Sequence, residues 1–431
     1  MRRRHLLMGA LPVAAWSGTF AGALPGASTG ASAAPSCRQA GLQARLELVA
    51  NSFPVMQHLA KVATACTGGG LQVNFKLTPR VQTEVETSFS SAGKSPFDAA
   101  VVSASMFNGL YARSQLYPMT DLVRKYGARY RLEERMLVRM NCEVMAIAFM
   151  QNTQHLYYRR DLFARHGIAV PVTYAQMLQA ATLLRAREPG LANPIAQTFA
   201  QGFDLATEFT NLLSSLGGRY FAPGTAEPAF QGPQGLAAVA LMRQLLPHMS
   251  PNALASNSDD VMNQLQQGRA AMGVLWASRA ARMDDPAASR VAGLIDFAAA
   301  PAAAPGGSSA AHLWWDGVVM PRNGPAQREA TFQVLMDMLS EDSVASGNDL
   351  TIWVRSNFKP GRTGLGVEMA RAAGAKVWPA EPFFNLAHAQ VGKVLADALT
   401  GQRDPAQALA GAAVAYRTSA IEKGYIRRAA A

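Results

Sequence analysis

Two stretches of the sequence gather side chains suited to holding a small polar molecule. Trp276 ends the apolar run 271–276, and Trp314, Trp315 and Asp316 stand in tandem at the head of the run 314–320. Ser103, Ser105 and Phe107 follow the run 97–103, with Tyr111 shortly after. Planar rings cover C–H faces, while hydroxyls, amides and carboxylates bond polar edges, so this mixture suits reversible capture of a polyhydroxylated solute. Side chains alternate across a strand, so only one of the tandem tryptophans can face a ligand, and Trp315 is taken as that one. Asp316 would accept two ligand hydroxyls or cap a turn beside Gly317.

Bond-making chemistry is poorly provided. The chain has no complete Gly-x4-Gly-Lys-Ser/Thr phosphate loop and no His-Glu-x-x-His helix, and its Gly-x-Ser-x-Gly match, Gly26–Gly30, lies in a small-residue stretch without the strand–turn–helix pattern of a nucleophile elbow. Its seven histidines are scattered, the nearest pair being His155 and His166, so no local metal site can be assembled from them. Tyr157 and Tyr158 point to opposite strand faces and cannot share a metal. Glu133-Glu134 and Asp284-Asp285 read as solvated neighbours. No enzyme, catalytic residue, cofactor or metal is expected.

Alternating elements must position the binding groups. Apolar strands at 46–49, 71–75 and 97–103 alternate with a helix at 54–65, which predicts an α/β sheet whose ligand loops follow the carboxyl ends near Asn51 and Ser103. Extended segments 144–149 and 156–158 read as a crossing into a second unit. Thr173 and Gln176 form a capping box at the head of a helix there. Helices near 205–216, 235–246 and 259–268 and strands at 271–276 and 294–299 continue it. A small-residue loop, 302–311, precedes a return crossing at 314–320, and helices at 386–399 and 405–423 close the chain.

The 431 residues are 49% hydrophobic and 16% charged, enough apolar material for two cores. The net formal charge is +11, but no basic block or basic–aromatic ladder occurs, so nucleic acid is not expected as a partner. Arg2, Arg3 and Arg4 precede an apolar stretch ending in Ala31-Ser32-Ala33, an export signal over 1–33 with a twin-arginine character that would deliver the protein to the periplasm or beyond. In an oxidising compartment Cys37, before the first strand, and Cys66, after the first helix, reach the same sheet edge and are expected to pair.

Five places in order resemble the family 1 extracellular solute-binding proteins of ATP-binding-cassette sugar importers, the group that includes maltose-binding protein. They are Phe97–Val102 with Tyr111-Ala112 and Leu116–Asp121, Leu156–Phe163 with Gly167 and Pro171, Gly268–Met272 leading to Trp276, Trp314–Pro321, and Asn385–Leu409. Two departures stand out: the segment 142–148 lacks the family's Gly-x-x-Tyr-Gly-x-Pro, and His312-Leu313 replaces its Gly-Gly.

The resemblance implies a type II periplasmic-binding-protein fold of two α/β lobes, 38–152 with 319–350 and 153–318 with 351–431, closing on a hinge. It implies a monomer that takes a sugar or polyol, or alternatively an anionic solute such as a sugar phosphate. The partner would be an importer permease, with a membrane sensor as the other possibility. Trp276 resembles the family's stacking tryptophan, Asn152 resembles a position that reaches the cleft, and Arg362 resembles a Pro-x-Arg segment near the ligand.

Overall fold

A computed structural model of the chain describes residues 42–427. The predicted export signal, its cleavage after Ala33, and Cys37 lie outside the described residues. Cys66 is buried and is not a free thiol, whereas Cys142 is free and exposed.

The strands are β1 (Ala44–Ala50), β2 (Leu71–Leu77), β3 (Ala99–Ser103), β4 (Leu137–Met140), β5 (Glu143–Asn152), β6 (Gln154–Arg159), β7 (Ile195–Gln197), β8 (Met272–Trp276), β9 (Ile295–Ala298), β10 (His312–Val319), β11 (Ile352–Trp353) and β12 (Lys376–Val377). One sheet runs β11-β5-β10-β3-β1-β2, with β4 on β5 and β12 on β10; the other runs β7-β8-β6-β9. Both are mixed: β1 is parallel to β2 and β3, while β10 is antiparallel to β3 and β5.

Alternation sorts the first sheet's side chains into two cores. Leu46, Leu48, Ala50, Ala99 and Val101 enter one, and Val49, Ala100 and Val102 enter the other. With both faces covered, β3 is apolar at every position before Ser103. In the second lobe Met272 and Val274 join the large core beneath the carboxyl-terminal helices, and Leu275 points to a smaller core on the opposite face. Among the described residues no helix is long and apolar enough to cross a membrane.

The extended region read as one crossing is two strands, β5 and β6, in different sheets and separated by Thr153 alone. The chain returns between β9 and β10, then passes again from β11 to the helix Leu365–Ala372, which packs on β6 and β9. That helix lies close because Gly366 is bare: a Cβ there would fall 1.6 Å from His155 Nδ1. Sheet membership differs from the expected lobe boundaries at two places. Residues 312–318 and 352–353 were expected with the second lobe, yet β10 pairs with β3 and β5 and β11 pairs with β5. An apolar alternating run marks a strand but does not say which sheet it joins.

A buried polar network lies beside the crossings. Gln154 Nε2 donates to Glu208 Oε1 at 2.8 Å, Gln197 Nε2 donates to Glu208 Oε2 at 2.8 Å, and Thr198 donates to the same carboxylate. Asn211 bridges Gln154 and His312, whose Nδ1 is 2.7 Å from Asn211 Oδ1. Thr153 Oγ1 donates to the His312 carbonyl at 2.9 Å, so the two adjoining crossings are tied together.

Candidate functional site: a cavity where the two sheets meet

Strand register builds the site. Asp316 on β10 sits opposite Ser103 at the end of β3, and Trp314 sits opposite Asn152 at the end of β5. Two residues on, Gln154 sits opposite Trp276 at the end of β8. The Asn152-Thr153-Gln154 crossing therefore carries the chain from one tryptophan to the other. A register shift between Asp316 and Gly317 interrupts β10 here, as bulges do where a strand must re-aim a side chain.

These residues line a cavity of about 300 Å³. Its first-lobe wall is Asn51, Phe53, Ser103 and Asp316; its second-lobe wall is Trp276, Ser278, Arg279 and Arg282, with Phe203 and Ser258 at helix starts. The Trp276 and Trp314 rings meet edge-on with centroids 5.4 Å apart at 84°, and Phe203 lies 6.2 Å from Trp314. Trp314 is backed by Trp378 at 4.0 Å. Tyr157 OH donates to the Trp276 carbonyl at 2.6 Å, which fixes the backbone beneath that ring.

The polar groups are of two kinds. Asn152 is largely used: its Oδ1 accepts from Thr153 N at 3.1 Å and Ser278 N at 3.2 Å, and its Nδ2 donates to Ser278 Oγ at 3.3 Å. Ser103 Oγ caps the helix Ala104–Ala112 by accepting from Met106 N at 3.4 Å. Arg279 is paired with Asp259 at 3.1 Å. Asp316 is different. It is half-buried, its carboxylate has no hydrogen bond or ion pair among the described residues, and burial pushes its pKa up to about 7.

The sequence matches a model of the bacterial extracellular solute-binding proteins over residues 60–343. The chain belongs to this family. Solved structures agree in fold. An ABC transporter solute-binding protein from Agrobacterium radiobacter K84 in complex with ribitol superposes with a TM-score of 0.74 at 18% identity, covering 87% of this chain and 98% of that one. Maltose-bound MalE3 of T. maritima gives 0.75 at 17%, covering 87% and 99%. A protein from Agrobacterium vitis S4 with bound D-mannitol gives 0.73 at 18%, covering 89% and 100%. No curated protein sequence matches the chain. The α/β class expected from the residues, and the two-lobed architecture that the resemblance implied, are what is observed.

Within this solute-binding protein, four expected site residues, Trp276, Asp316, Asn152 and Ser103, meet in one cavity. Five do not. Trp315 leaves β10 on the opposite face and packs 5.1 Å from Phe107. Phe107 is 2% exposed and stacks on Tyr111 at 5.9 Å. The Tyr111 hydroxyl accepts from Asn141 Nδ2 at 3.0 Å beside a separate recess. Ser105 Oγ donates to Asn385 Oδ1 at 3.1 Å, and Asn385 Nδ2 donates back to the Ser105 carbonyl at 3.2 Å, a contact that ties the helix after β3 to the helix Phe384–Thr400. Arg362 is engaged within the second lobe by Asp284, by Asp296 at 3.6 Å and by the Phe297 ring at 5.1 Å.

Trp314, Phe203, Ser278 and Arg282 were not anticipated. Trp314 carried a usable signal: residues two apart share a strand face, so choosing Asp316 implies Trp314 rather than Trp315. Phe203 carried none, since nothing local distinguishes an aromatic held 52% exposed at a cavity from one destined for a core. A larger open recess of about 1250 Å³ around Arg219, Phe221 and Lys376 is walled by the helix Phe203–Ser215, the loop that follows it, β12 and the carboxyl-terminal segment, and it holds none of the expected site residues.

Proposed function

We propose that this solute-binding protein captures a sugar or polyol of about monosaccharide size and presents it to the permease of an ABC importer. The observation that carries the reading is the cavity shared by both sheets, in which Trp276, Trp314 and Phe203 supply ring faces and Asp316 supplies a carboxylate without a partner. The neighbours in complex with ribitol and D-mannitol, and a third with alpha-D-tagatose, support this ligand class. A volume of about 300 Å³ stands at the small end of ligand pockets, roughly 300–1,000 Å³.

Ligand first rests on the first-lobe wall, Ser103 and Asp316, and closure about Thr153 brings Trp276 and Ser278 over it. Closure is favoured only when the ligand satisfies partners from both lobes, because that difference in affinity is all that moves the open–closed balance. The ligand leaves unchanged, so the protein acts as a receptor and not as an enzyme. We propose further that residues 1–33 export it, through the twin-arginine route, and that Cys37 and Cys66 pair afterwards.

Isothermal titration with ribitol, D-mannitol, D-tagatose and D-glucose tests the reading. Saturable heat with at least one of them, weakened about tenfold or more by Trp276→Ala, is the expected outcome. A folded protein that binds none of these and no other sugar or polyol would overturn it.

A further inference from the structure

Asp316 is the cavity's one side chain whose charge the described structure leaves uncompensated without exposing it fully. Around it the other charges are settled: Arg279 is paired with Asp259 at 3.1 Å, and Arg282 is exposed, able to keep its guanidinium in water. Trp314 lies two residues from Asp316 on the same face of β10, with Trp276 edge-on at 5.4 Å and Phe203 at 6.2 Å. The carboxylate is therefore set beside a cluster of three aromatic rings.

Two kinds of ligand group could partner it. A neutral hydroxyl donates one hydrogen bond and leaves the charge in place. An ammonium donates up to three and cancels the charge, and it is also attracted by the faces of tryptophan and phenylalanine rings. Charge-assisted bonds are roughly twice as strong as neutral ones. Carboxylate and rings thus favour the same chemistry; of the two arginines that line the cavity, Arg279 is paired with Asp259 and Arg282 is exposed to water, which screens its charge. We propose that the cavity selects a sugar or polyol bearing an ammonium group, with Asp316 as its counter-ion and the Trp276 and Trp314 rings beside it. This rests on the receptor reading above and narrows its ligand class to amino sugars and amino polyols.

Matched pairs isolate the ammonium: D-glucosamine against D-glucose, D-galactosamine against D-galactose, and 1-amino-1-deoxysorbitol against sorbitol, each titrated calorimetrically at neutral pH. In the pair whose carbon frame fits, the amine binds about tenfold tighter or better than its neutral partner. N-acetylation, which keeps the frame and removes the charge, abolishes the gain. Asp316→Asn, near in shape and uncharged, also abolishes it, with circular dichroism and a thermal melt reporting that the variant is folded. Neutral sugars or polyols that bind as tightly as their amine partners would sink this proposal and leave the receptor reading standing. Failure of every compound to bind would sink both.

Discussion

Asp316 shows how one residue's surroundings set its chemistry. In water its carboxyl would ionise near pH 4, but held in the cavity without a partner it is pushed up to about 7. A bound ligand that donates hydrogen bonds or carries positive charge favours the ionised form, so the pKa falls on binding and protons are released. For a neutral sugar or polyol, whose own charge is constant over this range, affinity should therefore rise as pH increases from about 6 to about 8 and level off above the free-state pKa. Titration at the two pH values in buffers of different ionisation heat checks this, and Asp316→Asn should bind with no such dependence. The same strand explains why Trp315 misled: both tryptophans are apolar, and beyond the two-residue period that links Trp314 to Asp316, it is the pairing of Trp314 with Asn152 and of Asp316 with Ser103 that shows which face of β10 looks into the cavity.

At the level of elements, the helix Phe203–Ser215 does more than cover the second sheet. It carries Glu208 and Asn211 to the crossing residues Gln154 and His312, and Glu208 is fully buried among three donors. Burial pushes the Glu208 carboxyl up to about 7, above the roughly 4.3 it would have unfolded. Between those values the folded state holds a proton that the unfolded state releases, so this group's contribution to stability falls as pH rises through about 7. Denaturant melts should show wild-type protein losing more stability between pH 5 and pH 8 than Glu208→Gln, which cannot ionise. Glu208→Ala should cost about 3 kcal/mol or more at either pH, because three buried donors lose their acceptor. None of this was legible locally. Glu208 reads as one of two carboxylates in a mixed helix, beside Asp204, and its partners come from 10 to 54 residues away, Thr198 the nearest and Gln154 the farthest.

For the whole molecule, the decisive feature is that the chain passes between the sheets three times and that Asn152 and Trp314, beside two of those passages, line one cavity. Ser105 with Asn385, and Asn108 Nδ2 with the Pro379 carbonyl at 3.1 Å, add side-chain contacts linking the helix after β3 to the carboxyl-terminal segment. A ligand that binds only the folded, closable form stabilises it by mass action. At a hundred times its Kd this amounts to about 2.7 kcal/mol, and a thermal melt should shift upward by several degrees. Small-angle scattering should show any open population contracting on addition of the same ligand. A ligand that raises the melting temperature without contracting the molecule would speak against closure around it.

Composition, alternation and capping determined the α/β class, the order of most elements and the capping-box helix Tyr174–Arg187, because each rests on neighbours within a few residues. They also placed Trp276 and Ser103 at the carboxyl ends of strands, where ligand loops of such sheets lie, whereas Asn152 was expected from the family resemblance. Tertiary structure alone decided which sheet β10 and β11 join and that the cavity lies on the face of β10 that carries both Trp314 and Asp316. It also decided that Arg362 is engaged by Asp284 and Asp296 instead of a ligand. Those outcomes depend on register and on partners far along the chain, and register is set by the packing of the assembled sheet as a whole.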